Sequence, residues 1–242
     1  MAGDAVAFVR SLLAVFAVLP GLLAGFVVTL VTLSRRRGLN ATLAVWGRLG
    51  TAAAGISFDI QGADHLESAR PAVFVFNHQS TVDPLMITAL IRHDFVGIAK
   101  KEMRRNVFFG PAFAWAGVVF IDRFHHARAL EQLKPAVVAL AAGYSVVVAP
   151  EGTRGIDGSI GRFKKGAFHL AMQAGRPVVP VVLLNSRAVM PRGGRLIRAA
   201  TVRVVVHEPI ATDAWSEETL DREVNNIEEL FRSTVGQRYS IN

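Results

Sequence analysis

The sequence predicts an α/β protein, with a mixed, largely parallel sheet flanked by helices and an N-terminal membrane-associated helical segment. From about Gly55 onward, seven short apolar runs alternate with segments of helical character, the pattern of a sheet wrapped on both faces. Ser11 to Ser34 carries no charge at all. Hydrophobic residues make up 51% of the 242 positions, enough for one sizeable domain and an appendage. The expected division is a membrane-associated part at 1–56 and an α/β domain at 57–242.

The charge-free stretch comes first. As a helix it reaches roughly 36 Å, sufficient to cross a bilayer. Pro20-Gly21 in its middle offers a second reading, a break into a re-entrant or interfacial piece. Arg35-Arg36-Arg37 follows, whereas the preceding end holds Arg10 against Asp4. The positive-inside bias then places the protein at the cell membrane with its body on the cytoplasmic face. A cleaved signal peptide would carry its charge before the apolar region and small residues after it, the reverse of what stands here. Ala41 to Ile56, interrupted by Arg48, is a weaker apolar stretch. With the first it can form a helical hairpin seated in one leaflet.

The strand-like runs are Ser57–Ile60, Ala72–Phe76, Phe95–Ala99, Val118–Ile121, Ser145–Ala149, Val178–Leu184 and Val202–Val206. A helix is expected over Pro84–Ile91, with proline in its first turn after Asp83 as a cap residue. Ala127–Ala142 reads as a helix that Pro135 kinks or restarts. Phe163–Ala174 ends at Gly175, a C-cap. Ser216–Val235 carries Leu220, Val224, Ile227 and Leu230-Phe231 at helical spacing, a stripe that covers a sheet.

Chemistry-bearing residues gather where strands end. Asn77-His78-Gln79-Ser80-Thr81-Val82-Asp83 follows Ala72–Phe76 and sets an imidazole and a carboxylate five residues apart. An imidazole oriented by a carboxylate takes a proton from an alcohol without a serine or cysteine nucleophile. Asp83 alone also reads as a helix cap, and a cap holds a carboxylate rigidly. Pro150-Glu151-Gly152-Thr153-Arg154 follows Ser145–Ala149. Arg154 presents a planar fork suited to phosphate, and Gly152 permits close backbone approach. Glu151 either pairs with Arg154 or holds the loop in shape. Asp122-Arg123 and Lys100-Lys101 end two further runs, and Phe163-Lys164-Lys165-Gly166 opens an expected helix whose amide end attracts anions. Loops at one edge of an α/β sheet converge on its ligand crevice.

The chain has no cysteine, which excludes disulfides, cysteine–zinc sites and a thiol nucleophile. No dinucleotide fingerprint or Walker loop is present. The net charge is +8, unevenly spread: residues 1–207 carry 24 basic and 11 acidic side chains, residues 208–242 carry 3 and 8. A basic body suits an anionic membrane surface, a phosphorylated substrate or nucleic acid. Three Trp, two Tyr and the long apolar N-terminus argue against nucleic acid.

These residues resemble the glycerolipid acyltransferase family. Asn77-His78-Gln79-Ser80-Thr81-Val82-Asp83 looks like its NHxxxxD motif, Gly117–Arg123 is similar to the second motif, Glu151-Gly152-Thr153-Arg154 to the third and Val179-Pro180-Val181 to the fourth. Phe-Ile-Asp-Arg and Glu-Gly-Thr-Arg resemble the 1-acylglycerol-3-phosphate branch more than the glycerol-3-phosphate branch. The resemblance implies acyl transfer from acyl-CoA or acyl carrier protein to the sn-2 hydroxyl of a membrane lipid acceptor, lysophosphatidate. It implies His78 and Asp83 as the catalytic pair, with no acyl-enzyme, no metal and no cofactor beyond the donor. Arg154, Lys100, Lys164 and Arg123 would hold the acceptor's phosphate, and Asn77, Glu151, Gly152 and Thr153 would organise the loops. The same chemistry on another acceptor, such as a lyso-ornithine lipid, and a non-catalytic anionic-lipid-binding protein are the alternatives.

Overall fold

The computed structural model describes residues 2–106, 110–122, 129–155 and 158–237. It opens with α1 (Ala2–Phe16) and α2 (Val18–Thr32), separated by Ala17 alone. The interruption falls at Ala17 and not at Pro20-Gly21, where the second reading placed it. Pro20 lies in the first turn of α2, where a missing N–H forfeits no intrahelical bond. Gly3–Thr32 is long and apolar enough to cross a membrane, an 18-residue window of it reaching a mean hydropathy of 2.5. Phe8, Leu13, Phe16, Leu23, Phe26 and Leu30 are exposed along it.

After a left-handed Leu33 and the capping Ser34, α3 (Arg35–Ala54) runs back beside α2. Gly21 faces Thr42 and Trp46, while Gly38 faces Gly25 and Thr29, so the two helices are antiparallel. A Cβ on Gly38 would stand 2.6 Å from the Gly25 carbonyl oxygen. Small residues are what allow backbones to approach this closely.

The remaining elements are β1 (Ile56–Gln61), α4 (His65–Ser68), β2 (Val73–Phe76), α5 (Asp83–Ile91), β3 (Phe95–Lys100), a 3-10 turn (Lys101–Arg105), α6 (Gly110–Trp115), β4 (Val119–Ile121), α7 (Ala129–Gln132), α8 (Lys134–Ala141), β5 (Ser145–Val148), α9 (Gly166–Ala174), β6 (Val178–Leu183), β7 (Ala200–Val206) and α10 (Leu220–Gln237). All seven expected strands are present, in the order β1-β7-β6-β2-β5-β3-β4. The pairs β6–β2, β2–β5, β5–β3 and β3–β4 are parallel. Backbone bonds from Leu184 to Arg203 and from His207 to Pro180 run in opposite chain directions, which makes β7 antiparallel to β6. The fold is thus a mixed, mostly parallel sheet flanked by helices.

Two expected helices differ in extent. The one over Ala127–Ala142 restarts at Leu133, with Pro135 in the first turn of α8; residues 127–128 lie outside the described residues. The one expected from Phe163 begins at Gly166 instead. The Phe163 N–H donates to Glu228 Oε2 (2.7 Å) and the Lys164 N–H to the Pro150 carbonyl (2.9 Å), tying both residues to other segments.

Contacts divide the chain into two units. One comprises Met1–Asp59, Gln79–Asp94 and Leu183–Val204; the other comprises Ile60–His78, Phe95–Val182 and Val205–Asn242. In the first, α5 lies along α3. A Cβ on Gly47 would come within 2.9 Å of Ala89 Cα, and one on Gly50 within 2.7 Å of Leu85 Cδ1. Beyond the end of α5, Asp94 Oδ1 accepts from Arg36 Nε (2.6 Å) and Asn40 Nδ2 (2.9 Å), and the Asp94 N–H donates to Asn40 Oδ1 (2.9 Å). In the second unit, β2 is buried on both faces between β5 and β6. Phe163, Phe168, Trp215 and Phe231 form an aromatic cluster under α10, whose Leu220, Val224, Ile227, Phe231 and Thr234 are buried.

Burial by itself would raise the Asp94 carboxyl. Hydrogen bonds from Arg36, Asn40 and His93 and the Arg36 charge outweigh it and hold the group down, from 3.8 to about 2. A lowered carboxylate adds stability that is complete above its unfolded value and disappears as pH falls through the folded one. Acid unfolding should therefore show Asp94→Ala losing less stability than the wild type between about pH 4 and pH 2, and equal losses would remove this latch from the stability of the fold.

Candidate active site

The site begins where β2 ends. Asn77 is fully buried, and His78 is half-buried with its ring edge-on to Phe76, centroids 6.0 Å apart. The main chain of His78 is held from both sides. Its N–H donates to Glu151 Oε1 (2.8 Å), and its carbonyl accepts from the Gly155 N–H (2.9 Å). Glu151 is buried, and its Oε2 accepts from the Gly161 N–H (2.8 Å). The carboxylate therefore serves two backbone amides, in charge-assisted bonds that fix both loops. Parallel pairing of Val73 with Val146 and of Val75 with Val148 sets the ends of β2 and β5 abreast, so residues 73 positions apart in sequence meet.

The loop after β5 brings in further polar side chains. Gly152 has φ 72, a conformation that favours glycine, and a Cβ there would stand 3.1 Å from Lys164 Nζ. Lys164 is thus laid against the Glu151-Gly152 turn by its own backbone bond to Pro150. Lys164 belongs to the segment before α9 and not to a helix start as expected. Thr153 is exposed and Arg154 half-buried in the same loop. Lys100 is exposed at the end of β3, the strand paired to the other side of β5. Arg123 lies outside the described residues. The preceding Asp122 pairs with Lys101.

Asp83 belongs to the other unit, because the division falls between His78 and Gln79. It is fully buried, and its Oδ2 accepts from the N–H groups of Gln79 and Ser80 (2.7 Å each). The cap expectation is corrected here. The N-cap position of α5 is Val82, and the Asp83 carboxylate turns back to the amides before the helix. The Ser80 hydroxyl donates to the Met190 carbonyl (2.7 Å), which anchors the same turn to the segment before β7.

Sequence reasoning missed Gly155 and Gly161, whose amides complete the cradle around His78 and Glu151. A signal was present: glycines recur at 152, 155, 158 and 161, every third position after β5. It also missed that Asp83 organises the Gln79-Ser80 amides.

A half-buried histidine at the carboxyl edge of a parallel sheet, clamped by a glutamate from the next strand's loop, defines an α/β protein whose site is built from strand-end loops. The Acyltransferase family model matches residues 57–184, and the chain belongs to that family. Its relatives include the 1-acyl-sn-glycerol-3-phosphate acyltransferase of Limnanthes alba, 34% identical over 178 residues, 73% of this chain and 63% of that protein. The 1-acyl-sn-glycerol-3-phosphate acyltransferase alpha of Homo sapiens is 37% identical over 160 residues, 66% of this chain and 56% of the human protein. The match thus spans less than two thirds of the length of these curated relatives. Among solved structures, the 1-acyl-sn-glycerophosphate (LPA) acyltransferase PlsC of Thermotoga maritima superposes with a TM-score of 0.80 at 23% identity, covering 98% of this chain and 96% of that one.

Glu151→Gln tests the clamp. An amide retains one acceptor oxygen and turns an NH₂ group toward a second backbone N–H, leaving a buried donor unmatched. The expected cost is about 1–3 kcal/mol, read as a lower midpoint in thermal or denaturant unfolding. An unchanged midpoint would show that the two amides find equivalent partners.

Proposed function

We propose that the protein transfers a fatty acyl group from acyl-CoA or acyl carrier protein to the sn-2 hydroxyl of 1-acylglycerol-3-phosphate, giving phosphatidate. The observation that carries this reading is the fixed backbone of His78 at the sheet's carboxyl edge, within the family's NHxxxxD motif. The names of the relatives point to the same acceptor.

In the reaction, the His78 imidazole removes the acceptor hydroxyl proton as that oxygen attacks the thioester carbonyl. The tetrahedral intermediate collapses, the C–S bond breaks, and the imidazolium returns the proton to the departing thiolate. No acyl-enzyme forms, and the chemistry uses no metal or cofactor besides the donor. Asp83, five residues along the same loop, steadies the imidazolium. Arg154, Lys100, Lys164 and Arg123 hold the acceptor's phosphate, and Arg154 does so with a bidentate fork. Asn77, Glu151, Gly152 and Thr153 shape the loops.

Residues 1–56 act as the membrane-associated part and 57–242 as the acyltransferase domain. The exposed apolar face of α1 and α2 seats the protein at the cell membrane, where a single-chain lipid resides. The basic residues after it favour an anionic surface and the cytoplasmic side.

Purified protein incubated with palmitoyl-CoA and a panel of lyso-lipids, with products identified by mass, tests the proposal. Phosphatidate formation from lysophosphatidate supports it, and exclusive use of another acceptor or no thioester release overturns it. His78→Ala and Asp83→Asn should each lower kcat by about 10²–10⁴-fold while the protein still folds and binds membrane; near-wild-type turnover by His78→Ala would refute the mechanism. Arg154→Ala should chiefly raise the KM for lysophosphatidate, because phosphate anchoring is largely uniform binding. An unchanged KM at an unchanged rate would remove Arg154 from the site.

A further inference from the structure

Beyond Lys100 the chain enters the 3-10 turn Lys101–Arg105, and Lys101, Glu102, Arg104 and Arg105 line a cavity of about 340 Å³. The reaction proposed above assigns no part to this cavity. It lies within one unit, at the same sheet edge as His78: β3 is separated from β2 by β5 alone. Two strand spacings put the ends of β3 and β2 about 10 Å apart.

The cavity is positively charged in a particular way. Lys101 is paired with Asp122, so its charge is locally offset. Arg104 and Arg105 are exposed, and among the described residues neither makes an ion pair. Among the described lining residues, two guanidinium groups therefore outnumber the one remaining acid, Glu102. The turn that carries them is shaped by backbone. The Asn106 N–H bonds to the Met103 carbonyl, the Gly110 N–H to the Asn106 carbonyl, and a Cβ on Gly110 would stand 2.3 Å from the Arg104 carbonyl oxygen. Only glycine fits there, so the start of α6 approaches the Arg104 carbonyl closely.

We propose that this cavity binds the phosphates of the acyl donor's coenzyme A, with Arg104 and Arg105 as the contacting residues. The inference rests on the acyltransferase reading and adds to it a second anion site, separate from the residues assigned to the acceptor. Guanidinium forks match phosphate oxygens bidentately. The volume suits a nucleotide-sized group; an acidic carrier protein would instead need a face of roughly 800 Å². The spacing of about 10 Å between the ends of β3 and β2 is within the span of a pantetheine arm laid across β5.

The test compares wild type with Arg104→Glu/Arg105→Glu, and with Arg104→Gln/Arg105→Gln as a milder pair; both residues are exposed, which spares the core. With palmitoyl-CoA the reversed pair should raise the donor KM roughly tenfold or more, since repulsion replaces attraction. The neutral pair should raise it less, and the lysophosphatidate KM should stay within twofold. With the N-acetylcysteamine thioester of palmitate, which lacks phosphates, the variant-to-wild-type ratio should fall toward one. Calorimetric titration with free coenzyme A should show the same order of affinities. A raised lysophosphatidate KM would assign the cavity to the acceptor, an effect confined to acyl carrier protein would assign it to that protein, and unaltered kinetics and coenzyme A affinity would make it plain surface; each overturns the proposal. If wild type transfers no acyl group, the functional reading fails on its own, and the coenzyme A titration still decides for or against this cavity.

Discussion

The structure of the site depends on one buried carboxylate. Glu151 accepts from the His78 N–H with one oxygen and from the Gly161 N–H with the other. Without it, the strand-end loop after β2 and the chain leading to α9 would each carry an amide to be satisfied separately. Burying a charge is costly unless it is fully hydrogen-bonded, and here the two donors are themselves the segments being positioned. The Gly155 bond to the His78 carbonyl closes the same arrangement from the opposite side. The main-chain position of the histidine is therefore a property of the paired strands and not of its own loop.

The other buried acid, at the start of α5, follows a parallel strategy within its own unit. Asp83 also directs a carboxylate oxygen at two main-chain amides, those of Gln79 and Ser80, and thereby closes its own turn. Each of the two buried acids in the motif regions is thus a main-chain organiser first. In the proposed chemistry, Asp83 would add to that role the steadying of the imidazolium.

Much of this was legible in the sequence, for physical reasons that differ by element. The strands were readable because each is a short, continuous apolar run, and a central parallel strand such as Val73–Phe76 is buried on both faces. The amphipathic α10 was readable from the spacing of Leu220, Val224, Ile227 and Phe231. The site residues at strand ends followed from the same runs. What could not be read was where main-chain amides go. Pro20 broke no helix because it fell in a first turn, and the α9 start moved to Gly166 because Phe163 and Lys164 are bonded elsewhere. Asp83 faced backward where local rules direct a cap forward. Such choices rest on tertiary partners that no local pattern encodes.

The close packing of α3 on α5 has a mechanical consequence. The two helices touch at Gly50 and Leu85, at Gly47 and Ala89, and are clamped by Arg36 and Asn40 on Asp94. Contacts near both ends of α5 hold it against α3, the helix antiparallel to α2. Asp83 opens α5, so the turn that its carboxylate closes is carried by a helix packed on α3 at several points.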